Sequence, residues 1–161
     1  MTTPQELETK FWAALDSDRT MMLGLLDSDE AHARPMTAQT ENERGPIWFF
    51  GAMDSELAKS VNGSSRAIGN FVSKNHEIFA TLHGTLQIDN DPVVIDRLWN
   101  RFVAAWYEHG KDDPNLALFR FDAERAEIWE NASSLLAGVK MLMGVDPKKD
   151  YQDKVAEVQL G

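Results

Sequence analysis

The sequence predicts a mainly β domain: an antiparallel sheet curled into a small closed or split barrel, with helices on its outside. Three observations predict it. Short apolar or alternating runs bounded by turn residues recur along the chain and give about seven strands. Most of these strands follow one another directly, and no sustained alternation with helices suggests a doubly wound parallel sheet. The three or four helical segments carry cap signals and fall at the start, middle and end. A chain of 161 residues with 43% apolar composition suffices for one domain with a proper core.

Thr3-Pro4-Gln5-Glu6 reads as a capping box with Pro at the first helical position. Leu7, Phe11, Ala14 and Leu15 then share one face of a helix over 4–16, which Asp16-Ser17-Asp18 ends. Met21 to Gly51 reads as a strand meander. Its first run is Thr20–Leu26, where Gly24 signals a bulge or a close backbone approach. Asp27–Ala31 is a turn, residues 33–39 a strand, Thr40–Pro46 a charged hairpin loop and Ile47–Phe50 a strand.

Asp54-Ser55 caps a helix over 55–61 with Leu57, Ala58 and Val61 inward. After a loop at Asn62–Ser65, strands are expected at Arg66–Ser73 and Ile78–Ile88. Asp91-Pro92 starts a helix in which Ile95, Leu98, Phe102 and Trp106 repeat along one side until His109-Gly110. Lys111–Pro114 is a tight turn. Leu116–Asp122 and Glu124–Glu130 read as a last hairpin. Ser133-Ser134 caps a C-terminal helix with Leu135, Val139 and Leu142 inward, and residues 146–161 form a polar tail, frayed or held by a partner. The whole of 1–161 is read as a single domain.

Composition narrows the function. A net charge of −10 argues against nucleic acid and anionic membranes, since phosphate surfaces are bound by clustered Lys and Arg. The chain has no cysteine, which removes disulfides, thiolate catalysis and cysteine-held metals. The start MTTPQELETKFW shows no signal-peptide pattern, and no run reaches membrane-spanning length, so the expectation is a soluble, cytoplasmic protein.

Motifs exclude further classes. The four histidines form neither HExxH nor HxH, so no metal site is assigned. GxSxG, GxGxxG and GxxxxGK[ST] are absent, and the serines at 64–65 and 133–134 sit where loops and caps need them. Asn131-Ala132-Ser133 matches a glycosylation sequon by chance in this setting. What remains is sparse cations among aromatics: Arg34 beside a proline that lacks a ladder donor, then Trp48-Phe49-Phe50 closing on Gly51, with Lys59, Lys74 and Trp129 further on. A cation, aromatics and a free backbone edge could hold a flat, anionic heteroaromatic ligand, although most such aromatics belong to cores.

Six stretches carry a resemblance over roughly residues 10–145: FWAALDSDRTMMLGL, HARPMTA, GPIWFF, FATLHGTLQI, DRLWNRFVAAWYEHGKDDPNLALFRF and AEIWENASSLLAGVKMLMG. In this order they resemble the pyridoxamine 5′-phosphate oxidase-like proteins with the flavin-binding split barrel, and most of all their bacterial general stress protein branch. The resemblance implies a homodimer with an FMN in each of two grooves between subunits. Arg34-Pro35-Met36-Thr37-Ala38 matches the strand beside the isoalloxazine ring, with Arg34 toward the phosphate. Phe50-Gly51 matches an aromatic–Thr pair, so Gly51 offers backbone contacts without the hydroxyl. Ser55 matches a serine near the phosphate, and Trp129 a tryptophan that packs on the flavin from the partner subunit.

The departures are as specific. An Arg-Lys pair that grips the phosphate is replaced by Glu56-Leu57, which leaves Lys59 or Lys74 as substitutes. Gln39 stands for a substrate-contacting Lys, Phe79 for a flavin-contacting Gln, and Asn131–Leu136 for a C-terminal Arg-Leu-His-Asp-Arg signature. Vitamin B6 oxidation is therefore not expected. The resemblance implies an FMN-binding redox protein, an NAD(P)H-linked oxidoreductase in one form, with no catalytic residue assigned. Its alternatives are a non-enzymatic flavin carrier or sensor, and a barrel that binds FAD or a deazaflavin.

Overall fold

The computed structural model describes residues 2–28, 32–131 and 155–160. Thr3 caps α1 (Pro4–Asp18) with both halves of the expected box: its hydroxyl accepts from Glu6 N, and Thr3 N donates to the Glu6 carboxylate. Leu7, Phe11, Trp12 and Leu15 of this helix are buried and plug the barrel.

Eight strands make one antiparallel sheet: β1 (Thr20–Leu25), β2 (Arg34–Thr37), β3 (Gln39–Glu41), β4 (Arg44–Ala52), β5 (Ser64–Val72), β6 (Ile78–Ile88), β7 (Leu116–Glu130) and β8 (Val155–Gln159). The strand order is β2-β1-β5-β6-β7-β4-β3, with β8 also on β7. The two ends of that order, β2 and β3, are consecutive in the chain with only Ala38 between them. A sheet whose first and last strands are joined by one residue must curl to bring those edges toward each other, although among the described residues no ladder joins β2 to β3. The result is the split barrel that the sequence predicts.

Burial on both faces explains the apolar runs of β4 and β7. Ile47 and Phe49, with Ala117, Phe119 and Phe121, point into the barrel core. Trp48, with Leu116 and Leu118, points outward beneath α3 (Pro92–Leu98) and α4 (Arg101–Ala104), where Val94, Ile95, Val103 and Tyr107 cover it. At about 25 cal/mol per Å² of apolar surface, this second cluster anchors the helical segment that faces the site.

Several elements depart from expectation. The strand expected over 33–39 is only Arg34–Thr37, because Ala38 turns the chain onto the other edge of the sheet. The loop expected at Thr40–Pro46 is a tight hairpin: Asn42 and Glu43 both take positive φ (57° and 51°), and Glu41 pairs with Arg44. Ser64 and Ser65, expected in a loop, already pair in β5.

The helix expected from Pro92 past Trp106 divides at Trp99. Asn100 caps α4 anew, its Oδ1 accepting from Phe102 N and Val103 N at 2.9 and 3.0 Å. As a result Phe102 (70% exposed) and Trp106 (85% exposed) face outward instead of completing a buried stripe.

The last hairpin is one strand of 15 residues. Its Asp122-Ala123-Glu124 is a bulge, where Ala123 pairs with Gly84, Arg125 with His83, and Glu124 with neither. Before the bulge β7 pairs with β4, and after it with β8. The polar tail therefore ends in a strand, with Ala156 buried in the core. The helix expected from Ser133 lies outside the described residues. No helix among them is long and apolar enough to cross a membrane.

Candidate functional site

A cleft of about 490 Å³ opens between β2, β4 and the α4 segment, within the usual range of small-molecule sites. Its first wall is Pro35-Met36-Thr37. Among the described residues β2 ends the sheet, so one side of it is taken by β1 (Met21↔Met36, Met22↔Pro35) while its outer edge carries backbone groups outside any ladder.

The floor is Phe50, Gly51 and Ala52 of β4. A Cβ on Gly51 would stand 2.7 Å from Phe119 Cε2 and 3.7 Å from Met36 Cε. The packed Phe119 ring behind the strand thus requires a glycine here, which accounts for the missing threonine. Gly24 meets its expectation in the same way: its Cβ would lie 3.2 Å from the Ala33 Cα.

The opposite wall is aromatic. Phe102 and Trp106 stand exposed at the mouth, and Tyr107 lies behind them. Tyr107, Trp99 and Phe50 form a ring cluster with centroids 5.8 to 6.3 Å apart. The Tyr107 hydroxyl donates to the Gly51 carbonyl at 2.7 Å. Burial, and secondarily the Asp113 charge, pushes the phenol up to about 12, so it is a fixed neutral donor rather than a proton shuttle near pH 7.

The two ends of the cleft differ. At one, Asn115 and Asp54 exchange hydrogen bonds (Asp54 N to Asn115 Oδ1 at 3.1 Å, Asn115 Nδ2 to Asp54 Oδ1 at 3.3 Å) just before α2 (Glu56–Ser60). At the other lie Gln39 and Arg19.

The sequence-predicted residues divide accordingly. Pro35, Met36, Thr37, Phe50 and Gly51 come together in the cleft. Arg34 sits in β2 but does not line it. One of its terminal nitrogens pairs with His32 Nε2 at 3.1 Å, and the other, Nη1, is buried without a partner among the described residues. Ser55 is used as a cap, donating to Ala52 O at 2.6 Å and accepting from Ala58 N. Lys59 lies 3.9 Å from Glu56.

Trp129 lines a separate hollow of about 390 Å³ with Phe79, and Lys74 lines a third with Lys10 and Asp18. Among the described residues no cluster of His, Asp and Glu could hold a metal ion.

Arg19, Asn100, Tyr107 and Asn115 line the cleft without having been singled out by sequence. The Asn100 cap is a signal present in the chain, hidden inside a helical repeat. For Tyr107 and Asn115 no local pattern points to the cleft, because tertiary packing brings them there.

The pyridoxamine 5′-phosphate oxidase-like family matches over residues 6–152. Among solved structures, a protein of Xanthomonas campestris pv. campestris described as of a general stress family is 57% identical, with 83% of this chain and 93% of that one covered and a TM-score of 0.79. The general stress FMN/FAD binding protein of Xanthomonas citri is 56% identical over 81% of this chain and 92% of its own, with a TM-score of 0.77. A protein of Jannaschia sp. CCS1 described as a general stress protein 26 is 27% identical, covers 98% and 99% of the two chains and has a TM-score of 0.80. None of the curated proteins matches. From the family match and these likenesses together, the chain belongs to the pyridoxamine 5′-phosphate oxidase-like family, in its general stress protein branch.

Proposed function

We propose that the cleft binds a flavin, FMN before FAD or a deazaflavin, with the ring system lying along β2. The observation that carries this reading is the cleft itself: an unladdered strand edge at Pro35–Thr37 faces the exposed rings of Phe102 and Trp106 across about 490 Å³. A planar heteroaromatic needs both, polar groups along its edge and apolar surface on its face. Arg34 Nη1, without a partner among the described residues, is a buried donor that an anion would satisfy, and it supports a phosphate at that end of β2. The 56% identical Xanthomonas citri protein, described as FMN/FAD binding, supports the same reading.

In this reading β2 fixes the ring edge, Tyr107 holds β4 in register through Gly51, and Phe102 and Trp106 shield one face from water. Trp129 and Phe79 come from a second copy of the chain, so the complete site is that of a homodimer. A bound flavin would supply electron and hydride transfer. The function is that of a flavin-dependent redox protein, with NADH or NADPH as electron donor.

The experiment is the absorbance spectrum of the freshly purified protein, with extraction of any ligand and thermal melts with added FMN, FAD and riboflavin. A flavin spectrum and a melting temperature that rises with FMN are expected. Colourless protein with no melting shift overturns the reading. Tyr107 favours a second reading, a flavin carrier or sensor, because its proton is tightly held and its hydroxyl is committed to Gly51 O. Anaerobic mixing of the loaded protein with NADPH separates the two: rapid bleaching of the flavin supports the oxidoreductase, and its absence the carrier.

A further inference from the structure

We infer that Arg19 anchors an organic anion, the second ligand of the cleft, at the end away from the flavin phosphate. The inference rests on the flavin reading above. Arg19 is the one cation lining the cleft among the described residues. It stands beside Gln39, which replaces the lysine expected to contact substrate, so the positive charge at this end comes from a different element.

The local structure holds the residue in place. Arg19 ends α1 with φ of 57°, a left-handed conformation at a helix end where Gly or Asn is usual. Its N–H donates to Leu15 O at 2.9 Å, and its carbonyl accepts from Ala38 N at 2.6 Å. Its Nε donates to Asp16 O at 3.0 Å, which ties the guanidinium to the end of α1 and leaves its two terminal nitrogens without a hydrogen bond among the described residues. Among the described residues no carboxylate forms an ion pair with it, although the chain carries a net charge of −10. An exposed arginine that lines the cleft without an ion-pair partner among the described residues, in a conformation glycine would adopt with less strain, is better accounted for by a ligand than by the cap.

The register separates this charge from Arg34, the residue assigned above to the flavin phosphate. Arg34 pairs with Leu23, and Thr37 pairs with Thr20, the neighbour of Arg19. Three residues of strand at roughly 3.3 Å each put the two arginines about 10 Å apart or more, at opposite ends of the ring-side strand. With the phosphate at Arg34, the anion at Arg19 belongs to the molecule that exchanges electrons with the ring. Its class is a small organic phosphate or carboxylate attached to a flat body.

FMN-loaded protein is titrated with phenyl phosphate and, separately, benzoate, following the flavin absorbance. Saturable binding of at least one probe is expected, and the tighter one identifies the anion class. Arg19→Gln weakens that probe roughly 10- to 100-fold, as loss of a charged hydrogen bond does. Arg19→Lys keeps most of the affinity. The Kd for FMN stays within about twofold, and Arg19→Gly melts no lower than the wild type, since glycine favours this backbone.

Probe affinity unchanged in Arg19→Gln, or no saturable binding of either probe, overturns this inference alone. Parallel loss of FMN affinity also overturns it, by assigning Arg19 to the flavin's own phosphate. Wild-type protein that takes up no FMN overturns the flavin reading and this inference with it.

Discussion

The two ends of the cleft are framed by the same β2 and β4 strands and differ in how their charges are arranged. At the Gln39 end stands Arg19, without an ion pair among the described residues and held by backbone on both sides. At the α2 end stand Asp54 and Glu56, with Lys59 neutralised in part by Glu56 at 3.9 Å. Between them the cleft is neutral and aromatic. The barrel fixes the middle, where a ring can lie, because core packing determines it. The ends sit on solvent-facing side chains that the core does not constrain, so the charge can move from one element to another while the fold stays. In this chain carboxylates accompany Arg34 and Lys59 toward one end, and Arg19 is the cation that lines the other.

The sharpest way to break the comparison is Arg34→Ala. Arg34 is the cation nearest the α2 end on β2 and carries a buried nitrogen with no partner among the described residues. Loss of a charged hydrogen bond to a phosphate costs about 1.5–3 kcal/mol, so FMN affinity falls roughly 10- to 100-fold while riboflavin affinity hardly changes. Isothermal titration with both ligands reads the difference. Equal losses for the two would place the phosphate elsewhere, and with it the polarity of the whole cleft.

The middle of the cleft is tested by Gly51→Thr, which restores the residue type that the resemblance places there. Its Cβ would meet Phe119 Cε2 at 2.7 Å, and Phe119 is fully buried. Overpacking of this kind costs about 1–3 kcal/mol. Urea unfolding should show that loss, with FMN affinity reduced rather than improved. A variant of unchanged stability with tighter FMN would show that the barrel can yield at this point.

Much of the middle was legible in sequence and much of the ends was not. Arg34–Thr37 and the Trp48-Phe49-Phe50 run carry their own signals, a proline at an edge and apolar residues on both faces of a strand. The spacing of three and four puts Phe102 and Trp106 on one side of a helix without saying what covers that side. The cap at Asn100 breaks the helix and turns both rings toward the cleft. Asp122-Ala123-Glu124 looks like a turn between two strands, and only the pairing of Ala123 with Gly84 shows a bulge within one. Arg19 is one charged residue between Asp18 and Thr20, and its left-handed φ and cleft position are tertiary facts.

Tyr107→Phe has a smaller effect and tests how the aromatic wall is tied to the floor. Removing the hydroxyl leaves the Gly51 carbonyl without its 2.7 Å donor, a loss of about 1 kcal/mol at neutral pH. The pH dependence has a definite sign. Burial raises the folded phenol to about 12, above its ordinary value near 10. The unfolded chain therefore gives up the proton first. This contribution to stability is full below about pH 10 and is lost as pH rises toward 12. Urea melts between pH 9 and about 11.5 should show a decline that is shallower in Tyr107→Phe. An identical decline in both proteins would mean that other groups govern alkaline unfolding.

The smallest expected effect discriminates most sharply between the ends. Glu56 is a largely exposed carboxylate in the first turn of α2, with 71% of its side chain accessible. A unit charge acting on a phosphate through water at ~8 Å contributes roughly 0.5 kcal/mol per unit of phosphate charge, and salt reduces it. Glu56→Gln should thus tighten FMN about two- to fivefold at low ionic strength and very little at high, while riboflavin shows no change. The substitution also releases Lys59, which adds to the gain. An improvement of this kind fixes the phosphate at the α2 end and leaves Arg19 for another anion. No improvement at low salt, with a loss in Arg19→Gln instead, would reverse the flavin in its cleft and make Arg19 its phosphate ligand.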